Sequence, residues 1–293
     1  MRYAYYPGCS LESTASGYDR SLRVVFQRLG IPLEELDDWN CCGATAYMGV
    51  DETLALAVCA RNLALAEAAG GDLVAPCSAC YLVLQKTKRY LAEQPELKAR
   101  VDEALAEAQL SYRGGVRIRH PLDVLVNDVG IEAIAAKLAR PLAGMKVAPY
   151  YGCQLVRPER GFDDREAPMW MDELFRRCGA EVVDFSMKVR CCGGMLMTTA
   201  APVGRRLSGE ILAEAVDAGA NVVVTTCPMC QMNLEAYQGP VGRAIGRRLR
   251  IPVVFFTQLL GLALGARASD LGLGRVLIPL DPSLPALAEA AHG

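Results

Sequence analysis

The sequence predicts an α/β fold made of two pseudo-symmetric halves, each a small, largely parallel sheet with flanking helices and a cysteine-rich site. Two observations predict it. Cys9, the adjacent pair Cys41-Cys42 and Cys77-x-x-Cys80 recur as Cys153, Cys191-Cys192 and Cys227-x-x-Cys230, and such self-similarity marks a duplicated unit. The gaps are 31 and 34 residues in the first copy and 37 and 34 in the second. Short apolar runs also alternate with helical patterns in the same order in both copies, which favours parallel strands joined through helices. The repeat divides the chain near residues 140–146, so we expect an N-terminal half over 1–143 and a C-terminal half over 144–293.

Each half reads alike. Strand-like runs at 2–6 and 146–151 lead to Cys9 and Cys153. Amphipathic helical patterns follow at 14–29 and 165–177, then extended runs at 32–39 and 181–185 that reach the cysteine pair. Long helices are expected at 51–69 and 202–218. Third strands at 72–76 and 221–226 end at the CxxC motifs, and helices leave them over 78–91 and 230–238. Fourth strands at 116–120 and 252–256 precede helices at 121–126 and 258–264. The first half carries an extra Ala/Glu/Leu-rich helical insert at 94–110, and the Pro-containing tail at 271–293 reads as a surface wrap.

The cysteines carry the chemistry. Each set offers five thiolates, whereas a zinc ion or an ordinary cubane cluster needs only four. A disulfide between neighbours distorts the chain, so Cys41-Cys42 does not read as a structural bridge. Two adjacent side chains more naturally bind different irons, or bridge two. Thiolate selects iron–sulfur clusters and zinc, so zinc, at both sites or in one half, is the plainer alternative. Gly8, Gly43, Gly152, Gly193 and Gly194 flank the ligands, and glycine lets backbone amides approach an inorganic core. Each CxxC lies where a strand passes into a helix N-terminus, whose free amides favour an anion, and Pro228 suits a first helical position. Two copies with upstream cysteines argue against a thioredoxin-like redox pair. Cys59 and Cys178 fall outside the repeat and read as buried, inert thiols. His120 ends the fourth strand of the first half and is a candidate proton donor, although a lone histidine is more often structural.

With this pattern the chain resembles the cysteine-rich CCG family over nearly its whole length, with the doubled motif most similar to the catalytic B subunits of heterodisulfide reductases. The resemblance implies that Cys9, Cys41, Cys42, Cys77 and Cys80 hold one non-cubane [4Fe-4S] cluster, and Cys153, Cys191, Cys192, Cys227 and Cys230 another. It implies reductive cleavage, or reverse formation, of a small-molecule or carrier-bound disulfide between the clusters. It also implies partners: a ferredoxin-like iron–sulfur subunit and a flavoprotein subunit. The 34-residue gap is about one residue shorter than the family's usual spacing. The 25 arginines against 6 lysines read as a GC-rich genome, which points away from the methanogen disulfide as substrate. The other reading is an electron-transfer or membrane-docking CCG subunit of a quinone-linked dehydrogenase, such as an unusual succinate:quinone reductase.

Composition bounds the rest. With 293 residues and 52% hydrophobic content the chain can bury a substantial core. A net charge of −2 gives no basic footprint for nucleic acid, and the Arg-rich run at 243–250 reads as the solvated face of a helical pattern. The most apolar stretch, 251–266, is interrupted by Thr257 and Gln258 and is too short for a membrane span. Without an apolar N-terminal leader, the cysteines point to metal ligation in a reducing cytoplasm, with attachment to a membrane through partner subunits left open. No dinucleotide fingerprint and no compact ferredoxin motif is present, so electrons must come from, or go to, another chain.

Overall fold

A computed structural model describes residues 2–44, 47–157 and 163–291. Two four-stranded sheets organise them. The first orders its strands β2-β1-β3-β4, with β1 Tyr3–Tyr5, β2 Leu33–Glu35, β3 Asp72–Val74 and β4 Ile118–Arg119. The second repeats the order as β6-β5-β7-β8, with β5 Lys146–Tyr150, β6 Glu181–Val182, β7 Val222–Thr225 and β8 Val253–Phe255. All pairings are parallel, and the registers correspond: Tyr3 opposes Leu33 and Asp72, and Val147 opposes Val182 and Val222. The central strands are buried throughout or nearly so, as in β7, because helices cover both faces of a parallel sheet.

The strand order places the cysteines. In both sheets the chain moves outward from the first strand to one side, then crosses to the other side for the third. Loops leaving the first and third strands therefore diverge, and a crevice opens at their C-terminal ends. Cys9 and Cys77 follow β1 and β3; Cys153 and Cys227 follow β5 and β7. The long helix Glu52–Ala69 begins where the Asp51 carboxylate accepts the Leu54 amide at 2.9 Å, and it stops at Gly70.

The halves are fastened to one another. Helix Ser16–Leu29 packs on helix Phe256–Ala263, and helix Ser78–Glu93 packs on helix Gly152–Val156. Tyr18 stacks on Phe255 with ring centroids 4.3 Å apart, Ser21 Oγ meets Thr257 Oγ1 at 2.6 Å, and Arg28 donates to Leu264 O at 2.9 Å. The insert forms helix Pro95–Glu107 and buries Val101 and Leu105 against its neighbours.

Several expected boundaries move. The helix expected over 165–177 is Trp170–Arg177, because Asp163 accepts the Met169 and Trp170 amides and Asp164 accepts those of Glu166 and Ala167. Local side-chain bonds of this kind compete with a helix. The helix expected over 230–238 runs from Pro228 to Glu235, and a second one, Gln238–Ile245, follows. It ends at Gly246 with φ 68°, so the later arginines of 243–250 lie outside it. After Pro121–Asp123 the chain widens into a π-helical turn, Val124–Val129. There Asn127 and Asp128 turn back to Asp123 and to the buried Arg119. The extended run at 32–39 pairs only over Leu33–Glu35.

Candidate metal centres

Each thiol set is assembled by three segments of one half. Cys42 and Cys80 bring their sulfurs to 3.1 Å, and Cys9 and Cys41 to 3.9 Å. In the second half Cys192 and Cys230 stand 3.4 Å apart, and Cys191 takes the Gly193 amide at 3.3 Å. Cys153 neighbours Cys191 closely enough to shift its charge. Cys9, Cys41 and Cys191 are exposed, Cys153 is half-buried and the other six cysteines of the two sets are buried. The sets meet between the halves, where the Cys77 and Cys227 thiols lie close enough to shift each other's charge. All ten expected ligands are therefore gathered, in two adjoining groups. Among the described residues no three His, Cys, Asp or Glu side chains converge as a ready single-ion site; the thiols close in pairs.

Proton sharing sets their charge. Cys41 holds Cys42 down to about 4, with Cys80 adding to the effect, and is itself held well above the usual thiol range by Cys42. Cys153 holds Cys191 down to about 6. Cys227 is lowered by its bonds to Cys230 and Cys77. Thiolate, the metal-binding form, is thus favoured at Cys42 in the first set and at Cys191, Cys192 and Cys227 in the second.

The glycines fit a cradle. Gly8 and Gly152 have φ of +72° and +70°, and a Cβ on either would stand 3.2 Å from Cys80 Sγ or 3.3 Å from Cys230 Sγ. Gly43, Gly193 and Gly194 also take positive φ beside the cysteine pairs. Cys77 and Cys227 are the N-cap residues of helices Ser78–Glu93 and Pro228–Glu235, with Pro228 in the first turn. A small cavity of about 40 Å³ opens in the second half, between Gly152, Met229 and the thiols Cys153, Cys191, Cys227 and Cys230. Donor chemistry, converging sulfurs and glycines that a Cβ would crowd together fit a sulfur-rich polynuclear group.

His120 lies between the two sets. It is fully buried; its Nε2 contacts Pro76 O at 3.0 Å, its Nδ1 accepts the Leu122 amide at 3.2 Å, and it lies against the Thr226 backbone. Burial holds it neutral, lowering it to about 4. Pro76 and Thr226 each precede a CxxC motif. Ser78 Oγ adds a second tie, to Thr226 Oγ1 at 3.1 Å. Cys59 and Cys178 are buried, and burial pushes both thiols up, Cys178 to about 12.

Sequence reasoning missed the side chains that hold the cysteine pairs. Tyr6 donates its hydroxyl to Asn40 O at 2.9 Å, and Tyr150 to Arg190 O at 2.6 Å. Both acceptors immediately precede a cysteine pair. The signal was present: each tyrosine stands three residues before the first cysteine of its half. Asn62 further holds Asn40 through two bonds of 2.9 Å, and Asn233 holds the loop after Cys192. Neither belongs to a motif.

Comparison with known proteins agrees with this geometry. Residues 3–85 and 147–235 each match the model of the CCG cysteine-rich domain. The chain is 36% identical over 278 residues to the 8-methylmenaquinol:fumarate reductase membrane anchor subunit of Wolinella succinogenes, covering 94% of this chain and 96% of that protein. It is 32% identical over 277 residues to the B subunit of a CoB-CoM heterodisulfide reductase of Methanosarcina acetivorans, covering 93% and 92%. The crystal structure of a hypothetical protein from Helicobacter pylori shares the fold with a TM-score of 0.78 at 19% identity. That match covers 96% of this chain, which spans about half, 52%, of the longer one. Among the described residues no helix is long and apolar enough to cross a membrane. Two matched domains and relatives aligned end to end place the chain in the CCG cysteine-rich domain family, as a member resembling the B subunits of heterodisulfide reductases.

Proposed function

We propose that the chain is an iron–sulfur subunit of an oxidoreductase complex that holds two non-cubane [4Fe-4S] clusters and cleaves, or in reverse forms, a disulfide between them. The observation that carries this reading is the meeting of Cys77 with Cys227, which joins the two five-thiol sets across the interface. The net reaction takes one disulfide, two electrons and two protons to two thiols. When bound, the clusters would supply one electron each and iron to capture each sulfur, so that no free thiyl radical is released. The chain's own part is to hold and enclose. Cys42, Cys77, Cys80, Cys192, Cys227 and Cys230 sit out of water, while Cys9, Cys41 and Cys191 line the exposed rim. Gly8 and Gly152 leave room for the CxxC sulfurs. His120 is assigned to positioning, because both ring nitrogens are occupied by backbone partners. Electrons come from partner chains, a ferredoxin-like iron–sulfur subunit fed by a flavoprotein.

Likeness to a fumarate reductase subunit supports a second reading, in which the same clusters relay electrons for a quinone-linked enzyme and no disulfide is bound. Anaerobically purified protein should contain about eight iron and about eight sulfide atoms per chain, the content of two four-iron clusters. Zinc without sulfide would overturn both readings. Thiol production from a panel of disulfides with a chemical reductant separates them: turnover supports cleavage, and fully loaded protein without turnover supports the relay.

A further inference from the structure

The two thiol sets differ in what touches their sulfurs. The halves align with an offset of 150 residues from the cysteine pair through the CxxC motif, which sets Asn233 opposite Val83. Both lie three residues beyond the last cysteine of their set. Asn233 is fully buried, and its Nδ2 is 2.9 Å from Gly194 O, 3.4 Å from Cys192 O and 3.6 Å from Cys192 Sγ. Three acceptors on one side fix the amide's orientation, since a flipped amide would set oxygen against the Gly194 carbonyl. Its Oδ1 has no partner among the described residues. Val83 is buried at the matching place and carries no donor.

Around the first pair, polar side chains serve the backbone. Tyr6 lies against Cys42, but its single hydroxyl proton goes to Asn40 O, and Asn62 exchanges bonds with the same backbone. Backbone donors are common to both halves: Gly43 and Ala44 serve Cys41 and Cys42 as Gly193 and Gly194 serve Cys191 and Cys192. These cancel in a comparison, and the Asn233 amide remains. A hydrogen bond to a ligand sulfur favours the more negative, reduced cluster, so it raises the reduction potential.

We propose that the C-terminal site carries the higher-potential cluster, that Asn233 makes it so, and that electrons entering the chain collect there first. This rests on the two-cluster reading above. Asn233 acts through Cys192 and is a positioning residue. In use, the N-terminal site would pass electrons toward the C-terminal one, giving two similar clusters an order.

The test is a redox titration of the anaerobic, cluster-loaded full chain, followed by paramagnetic resonance. Cys42→Ser and Cys192→Ser variants assign each signal to its half. The C-terminal signal should respond at the higher potential. Asn233→Leu should move that midpoint down and leave the N-terminal one in place; Val83→Asn should move the N-terminal midpoint up. Should Asn233→Leu shed iron, the wild-type order together with Val83→Asn decides. Reduction of the N-terminal cluster first, or an iron-replete Asn233→Leu protein with unmoved midpoints, overturns the inference while the two-cluster reading stands. Absence of a second cluster in the wild-type chain overturns that reading and this inference with it.

Discussion

Replacing Gly8 or Gly152 by alanine tests whether the backbone really admits the CxxC sulfurs. Both residues have left-handed φ, +72° and +70°. A Cβ there costs about 1–2 kcal/mol from backbone sterics alone. It would also stand 3.2 Å from Cys80 Sγ or 3.3 Å from Cys230 Sγ, so the sulfur must give by a few tenths of an ångström. Gly30 separates the two effects. It has φ +80° at the end of helix Ser16–Leu29, and its Cβ would meet nothing within 4 Å. Gly30→Ala therefore carries the strain without touching a ligand. Denaturant unfolding of the metal-free chain should show the strain loss in Gly30→Ala and at least as much in the two cradle variants. Iron and sulfide analysis should show roughly half the cluster content for Gly8→Ala and Gly152→Ala, one site of two, and full content for Gly30→Ala. Equal iron loss in Gly30→Ala and Gly8→Ala would refute the reasoning, because iron would then be following stability and not sulfur position. Full iron in both cradle variants would refute it too.

The ligand assignment predicts that Cys59→Ser and Cys178→Ser keep both clusters, whereas Cys42→Ser or Cys192→Ser costs one each; equal iron loss in Cys178→Ser and Cys192→Ser would contradict it. If both clusters act on one disulfide, disrupting Cys41/Cys42 or Cys191/Cys192 abolishes thiol production, and disrupting both adds little, because residues acting as a unit are non-additive; substantial turnover by a one-cluster variant would sink the mechanism. His120 is held neutral in the fold at about 4, against an ordinary value of 6.5. Its contribution to stability is therefore complete above pH 6.5 and lost as pH falls toward 4, about 3 kcal/mol in all at 1.36 kcal/mol per pH unit. His120→Gln should flatten that limb of stability against pH, and an unchanged slope would show that other groups set it.

Much of the fold and of the candidate site was legible because the cysteines expected as ligands are themselves the repeat. Ten cysteines at matched spacing locate the sites, and apolar runs such as Val222–Thr225 announce strands wherever a sheet is covered on both faces. Boundaries failed where a side chain outcompeted the helix pattern: Asp163 and Asp164 hold residues before Trp170 in turns, and no periodicity reveals that. Tyr6 and Tyr150 fall within the runs read as strands, and only the placed hydroxyls show the carbonyls they hold. Asn233 is one polar residue in a helix, and its meaning depends on a loop that ends 39 residues earlier. The docking of the halves, through Tyr18 on Phe255 and Ser21 on Thr257, joins positions more than 230 residues apart, beyond the reach of local pattern.

Topology explains why duplication yields two adjoining thiol sets and not two distant ones. A four-stranded parallel sheet of order 2-1-3-4 sets the loops after its first and third strands on the two sides of one crevice. In each half those loops carry the first cysteine and the CxxC motif. Docking helix Ser16–Leu29 on helix Phe256–Ala263 and helix Ser78–Glu93 on helix Gly152–Val156 brings the two crevices together. The contacts nearest the junction, Cys77 with Cys227 and Ser78 with Thr226, then fall within one residue of the CxxC turns themselves. Pseudo-symmetry places the two sets, and departures from it give them different parts. Val83 corresponds to Asn233 and Pro76 to Thr226 across the repeat. An exact duplication would present a disulfide with two equal electron donors. On the proposed two-cluster reading, these differences around a repeated cysteine pattern would let one site fill before the other.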